Sequence, residues 1–140
     1  MSIHNFPALK ENITRNISEM KSMIGEQNLL DPQERSTYDR ALYLFQSITK
    51  SMIDIGNNII IEHGYRTPLN TADVFISLAE NKVIPPGIIP GMKRAAIAMP
   101  KIGNIQGGEM VEIIGGCLND FGRCLSSYER FFKREEGGDQ

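Results

Sequence analysis

The sequence predicts an all-α protein, an up-and-down bundle of four to five helices built around one long helix. Three observations predict it. Apolar residues recur at spacings of three and four through most of the chain, and no strand-like alternation of any length competes with them. The interruptions carry helix start and stop residues. With 140 residues, 41% apolar and 23% charged, the composition is that of one ordinary globular domain spanning 1–140, with a polar tail from about residue 135 expected to be flexible.

Taken in order, the first helix starts at Pro7, where a missing N–H costs nothing, and runs to Gly25 on a stripe of Leu9, Ile13, Ile17, Met20 and Ile24. Asp31, Pro32 and Glu34 combine an N-cap, a proline in the first helical turn and a glutamate three residues after the cap. A long helix from Pro32 to about His63 follows, carrying Tyr38, Ala41, Leu42, Phe45, Ile48, Met52, Ile55, Ile59 and Ile60, with Gly64 as its stop. At about 48 Å it is longer than one small globule needs, which argues for a homodimer.

After a turn at Gly64 to Leu69, Asn70 caps a short third helix bearing Val74, Phe75 and Leu78. A loop with three prolines, Lys82 to Pro90, leads to a fourth helix over Gly91 to Met99, which Pro100 kinks or ends. Glycines 103, 107 and 108 loosen the next connection. From Glu109 a last long helix is marked by Met110, Ile113, Ile114, Cys117, Leu118, Phe121, Cys124, Leu125, Tyr128 and Phe132.

A formal net charge of -2 excludes a chain-wide basic field, so any nucleic-acid contact must come from a local patch. The patch visible in the sequence is Lys93, Arg94 and Lys101. Arg94 could hold a phosphate through its planar fork, or the three could form a solvated helix face. With only two histidines, a histidine general base must be His4 or His63. His63 suits the C-terminal dipole of the long helix, and His4 precedes the first helix. Asp54, with Asn57 and Asn58 one turn on, is either a site or an interhelical hydrogen-bond network. GGEM at 107–110 opens a helix, but no Gly-Lys-Ser or Gly-Lys-Thr follows, so it reads as an interhelical turn rather than a P-loop. Cys117 and Cys124, seven apart on one helix face, are too distant to bridge and read as buried reduced thiols. The opening MSIHNFPALKENIT has no apolar run of signal-peptide length and no stretch is long enough to span a membrane, so the expected location is cytoplasmic.

The segment YDRALYLFQSITKSMIDIGNNIIIEHGYRTPLNTADVFISLAENKVIPPGIIPGMKR, with its Phe75-Ile-Ser-Leu78, resembles the central region of the HepT-like HEPN proteins. LNDFGRCLSSYERFF at 118–132 is similar to that family's last helix, and the resemblance covers about residues 10–134. It implies a homodimeric helical bundle with the active groups of both subunits in one cleft. It also implies metal-independent RNA cleavage as a toxin, without cofactor, silenced by a nucleotidyltransferase antitoxin. The family signature is an arginine, four to six residues, a histidine and often a tyrosine two positions on. The histidine would move the proton and the arginine would stabilise charge on the phosphate. Here Arg94 takes the arginine position, Met99 the histidine position and Lys101 the tyrosine position, while Ala95 stands where asparagine is usual. A thioether cannot shuttle a proton, and no histidine follows His63. Arg94 and Asp54 are therefore carried over as positional matches for catalytic residues. The expected function is a weakened or inactive relative of these RNA endonucleases. The alternative is a dimeric interaction or nucleotide-binding protein that partners a nucleotidyltransferase. A different residue, such as His63, could take over the proton transfer of the missing histidine.

Overall fold

The computed structural model describes residues 5–25 and 30–137, so His4 lies outside the described residues. Among the described residues there are five α-helices and no strand: α1 (Phe6–Ile24), α2 (Arg35–His63), α3 (Asp73–Glu80), α4 (Ile89–Ala98) and α5 (Gly107–Gly137). The all-α expectation holds, and the chain has two long helices of 29 and 31 residues.

Most boundaries follow local chemistry. Gly64 closes α2 in the left-handed conformation (φ 65°, ψ 30°), which a residue with a Cβ adopts only under strain. Asn70 caps α3 as expected: its Oδ1 accepts the Asp73 N–H at 2.9 Å, while the Asp73 carboxylate accepts the Leu69 N–H at 2.8 Å. Arg66 forks onto Asp73 at 2.7 and 3.1 Å and reaches Glu80 at 2.9 Å. This guanidinium holds the Asp73 carboxyl down to about 2. Pro100 ends the α-helical hydrogen bonding of α4 at Ala98, and the chain continues as a 3-10 turn through Asn104.

Two boundaries differ from expectation. Asp31 Oδ1 accepts the Gln33 N–H at 2.9 Å, and the Asp31 carbonyl accepts the Glu34 N–H at 3.0 Å. These local bonds close a separate turn, so α2 begins at Arg35 instead of Pro32. Pro32 is in turn pressed against the start of α5, where a Cβ on Gly107 would lie 2.7 Å from it. At the other end of the chain, α5 continues through Gly137 into the polar segment.

Side-chain contacts give the topology. From one end of the bundle to the other, α2 and α5 meet at Tyr38 with Gly107, Phe45 with Phe121 (ring centroids 6.0 Å apart), Met52 with Tyr128 (2.8 Å) and His63 with Glu135 (2.9 Å). Residue numbers rise together, so these two helices run parallel. α1 opposes both, pairing Glu19 with Arg40 and Phe6 with Phe132. α4 opposes α5, with Gly91 against Asp120 and Arg94 against Gly116. The result is an up-down-up-down bundle with α3 packed across α2. Because α5 flanks α2 over nearly its full length, buried positions run from Tyr38 to Ile60 within one subunit. The length of α2 is thus absorbed by its own bundle and does not itself call for a second copy.

Gly56 is where α2, α3 and α5 come closest. A Cβ there would lie 2.8 Å from Leu78 Cδ1 and 2.9 Å from both Val74 Cγ1 and Tyr128 Oη. The Tyr128 hydroxyl, fully buried, donates to the Met52 carbonyl at 2.8 Å. Gly56→Ala is expected to destabilise despite the gain of up to about 1 kcal/mol in helix propensity, because crowding of this kind costs about 1–3 kcal/mol. Urea denaturation would show it as a lower midpoint at constant slope, and a higher midpoint would contradict the close packing.

Candidate nucleic-acid interface

Arg94 lies exposed on α4, with Nη1 3.6 Å from the Cβ position of Gly116 on α5. The guanidinium thus lies in van der Waals range of the α5 surface at Gly116. Its sequence neighbour Lys93 turns toward α3, close enough to Asp73 to help lower that carboxyl. Adjacent helical residues point about 100° apart, so the expected patch of Lys93, Arg94 and Lys101 is not one surface. Met99 opens the 3-10 turn, half-buried and packed on the core, and Lys101 is exposed.

Asp54 is half-exposed and bonded to Lys50 at 2.7 Å on its own helix. Its neighbours Met52 and Gly56 meet Tyr128, and the rise along α5 from Tyr128 back to Gly116 is about 18 Å. The two residues carried over as positional matches are therefore not brought together within one subunit. His63 is farther still. It touches Glu135 and Phe131, and Glu135 is about 28 Å along α5 from Gly116. It cannot serve Arg94 in the same subunit.

The contacts of His63 assign it a structural role. Nδ1 faces the Ile59 carbonyl at 3.1 Å and Nε2 faces Glu135 Oε1 at 2.9 Å. Both partners are acceptors, so the ring satisfies them together only as the imidazolium. The Glu135 hydrogen bond, above all, raises its pKa from the ordinary 6.5 against a smaller opposing effect of burial. A raised folded-state pKa means that the clasp contributes fully below the unfolded value and fades as pH rises through the folded one. Proton NMR is expected to give His63 a titration midpoint above 6.5, and Glu135→Gln is expected to move it down. Hydrogen exchange at the end of α5 should quicken over the same rise in pH. An unshifted midpoint would mean that the clasp does not form.

The cysteines offer no nucleophile. Burial pushes the Cys117 thiol up to about 11 and the Cys124 thiol up to about 12. No group of three or more His, Cys, Asp or Glu able to hold a metal occurs among the described residues.

One charged feature was not visible in the sequence. Three concavities of about 540, 750 and 560 Å³ lie along the outer face of α5 and merge through shared walls. Lys21, Leu118 and Asn119 belong to two of them, and Pro85, Ser127 and Arg130 join the third. From Glu112 to Arg134 the groove follows α5 for about 33 Å. Its floor is Gly115, Gly116, Asn119, Gly122 and Ser126, and its cations are Lys21, Arg94, Arg123 and Arg130, joined at the far end by Lys82, Lys133 and Arg134. Glu112 is the one carboxylate among the lining residues. In sequence, the spacing of Arg123, Arg130 and Arg134 on the polar face of α5 is the only trace of it. Lys21 and Lys82 arrive from other elements.

No protein-family model matches the sequence, and no curated protein matches it. Solved structures do. The chain is similar to a tri-AMPylated HEPN toxin of Shewanella oneidensis, in complex with an MNT antitoxin, at TM-score 0.78 and 19% identity over 93% of this chain and 99% of that one. A chain from a mutant of the toxin-antitoxin MntA-HpeT superposes at TM-score 0.78 with 19% identity, covering 89% of this chain and 98% of its own. YutE from Bacillus subtilis, a cytosolic protein of unknown function, gives TM-score 0.75 at 14% identity over 92% of each chain. Among the described residues no helix is long and apolar enough to cross a membrane. At TM-score 0.78 over 89% or more of each chain, this protein has the fold of the HEPN toxins.

Proposed function

We propose that this chain is the toxin-side member of a HepT-like pair, with metal-independent RNA endonuclease chemistry that is weakened or inactive, and with a nucleotidyltransferase as its cognate partner. The observation that carries the reading is the junction of α4 with the 3-10 turn. Arg94 is exposed beside a cationic groove, while the position five residues on holds the half-buried thioether of Met99. The arginine could steady a phosphate, but the thioether at the family's histidine position could not carry the proton. His63, committed to Ile59 and Glu135, does not replace it within the subunit. In this reading the protein is a cytoplasmic homodimer whose two Arg94 side chains face one cleft, and Asp54 supports that cleft only if it arrives from the second subunit. The MNT-bound neighbours support the choice of partner.

The test is RNA cleavage in the presence of a chelator by the native chain and by Arg94→Ala. Slow or absent cleavage by the native chain, with whatever remains lost in the variant, is expected. Vigorous cleavage would overturn the loss of activity, and cleavage undiminished in Arg94→Ala would remove Arg94 from the mechanism. Co-purification with a small nucleotidyltransferase encoded beside this chain tests the partner. The alternative, a non-catalytic interaction or nucleotide-binding protein, is favoured if Arg94→Ala changes mononucleotide binding while no RNA is cut.

A further inference from the structure

We infer that the cleft between the end of α5 and the chain that follows α3 is a docking site for a short acidic segment of a partner protein, one that carries aliphatic side chains among its carboxylates. The cleft holds about 560 Å³. It lies well away from Arg94, because Arg130, on its α5 side, is about 21 Å along the helix from Gly116. What docks there is therefore separable from any chemistry at Arg94.

Charge is the first reason. Lys82, Arg130, Lys133 and Arg134 line the cleft and no carboxylate does, in a chain of net charge -2. Neighbouring acids are engaged elsewhere: Glu80 with Arg66 at 2.9 Å and Glu135 with His63 at 2.9 Å, while Glu129 is shared by Lys10 and, at 3.6 Å, Lys133. Lys82, Arg130 and Arg134 make no ion pair among the described residues. Arg130 and Arg134 stand one turn apart on α5, about 6 Å, so their planar guanidiniums can each take one of two carboxylates at that separation.

The backbone of Lys82 is the second. Its N–H donates to the Ala79 carbonyl at 3.0 Å and the Val83 N–H donates to the Leu78 carbonyl at 2.9 Å, the paired bonds that close a helix C-terminus. Lys82 thus occupies the left-handed position (φ 62°) where glycine is the usual residue, and among the described residues it is the one non-glycine residue at positive φ. Glycine would hold the same turn with less strain and without charge, whereas the lysine adds a cation to the lining of the cleft. Composition of the walls selects the ligand. Ala79, Val83, Ile84, Pro85 and Pro86 make one wall aliphatic, and the two prolines offer no N–H. No aromatic side chain lines the cleft, so a nucleic-acid base would find nothing to stack on, while a leucine, isoleucine or valine would find a matching surface.

The probe is a short labelled peptide of glutamate and leucine, and its fluorescence anisotropy is measured with the full chain at about 0.1 M salt. It is expected to bind, and a peptide of the same charge with serine in place of leucine is expected to bind at least about tenfold more weakly. Arg130→Gln with Arg134→Gln is expected to weaken binding about tenfold. Arg35→Gln with Lys50→Gln makes the same charge change on α2 and is expected to leave binding unchanged. Lys82→Gly is expected to have two opposite effects: a higher urea midpoint at constant slope, because the strain is relieved, and several-fold weaker peptide binding, because the charge is lost. A residue kept only for the turn would not move the two readouts in opposite directions. Four results would each overturn the assignment: no binding of the leucine-bearing peptide, equal binding of the serine peptide, full binding by both cleft variants, or equal loss in the α2 control. Equally effective displacement by oligouridylate would reassign the cleft to nucleic acid, and displacement by glutarate at matched ionic strength would reassign it to a small carboxylate. Either outcome overturns protein docking.

Discussion

Met99→His is expected to raise metal-independent RNA cleavage by about 10²–10⁴-fold over the native chain, the range that a positioned general acid or base contributes. Met99 has helical backbone angles (φ -52°, ψ -48°), which histidine adopts without strain, and it is half-buried, so an imidazole there keeps a face toward solvent. Its proton chemistry would complement Arg94, the charge-bearing partner already in the groove wall. The imidazole would take the proton of a ribose hydroxyl as that oxygen bonds to phosphorus, the bond from phosphorus to the departing oxygen would break, and that oxygen would take a proton from water. Adding Arg94→Ala to Met99→His is expected to return cleavage to the native level. A folded Met99→His protein that gains nothing would show that residue 99 does not occupy the histidine position, and the weakened-nuclease reading would fall with it.

Phe121→Ala is expected to cost about 3–5 kcal/mol, the usual range for removing a fully buried phenyl ring. Phe121 is completely shielded from solvent and meets Phe45 of α2 at the middle of the bundle, between the Tyr38 and Met52 levels. Helices on both sides are held by other contacts and cannot collapse into the space, so the cavity remains. A domain of this size is stable by only about 5–15 kcal/mol, and the variant should be close to unfolding at body temperature. Arg123→Ala, two residues away and exposed, should change stability by less than about 0.5 kcal/mol. Denaturation curves separate the two. A loss below about 1 kcal/mol at Phe121 would mean that α2 and α5 do not share this core.

Much of the architecture was legible because helices announce themselves locally. The stripe from Met110 to Phe132 keeps its period for the whole of α5, and Gly64, Asn70 and Pro100 act on the backbone within a few residues of themselves. The burial of both cysteines followed from the same periodicity. The start of α2 was misread because Asp31 has two local options, a helix cap or a closed turn. The contact of Pro32 with Gly107, which accompanies the turn, joins positions far apart in sequence.

The candidate site was less legible. Lys93 and Arg94 are neighbours in sequence, but one joins the Asp73 cluster and the other lies on Gly116. Asp54 and Arg94 matched positions in a family pattern, and that pattern carries no information about their separation in one subunit. The cover over the full length of α2 was equally hidden, because the helix that supplies it begins more than forty residues after α2 ends.

By itself, then, the sequence determined the helices, most of their stops, the reduced buried thiols and the absence of a histidine after His63. Each of these depends on residue type and on spacing within a few turns. Only the tertiary structure decided which charges share a surface. Lys21, Lys82, Arg94, Arg123 and Arg130 come from α1, the connection after α3, α4 and α5. Packing brings them to one groove because a bundle buries its apolar stripes and leaves the polar faces of several helices to meet at its surface.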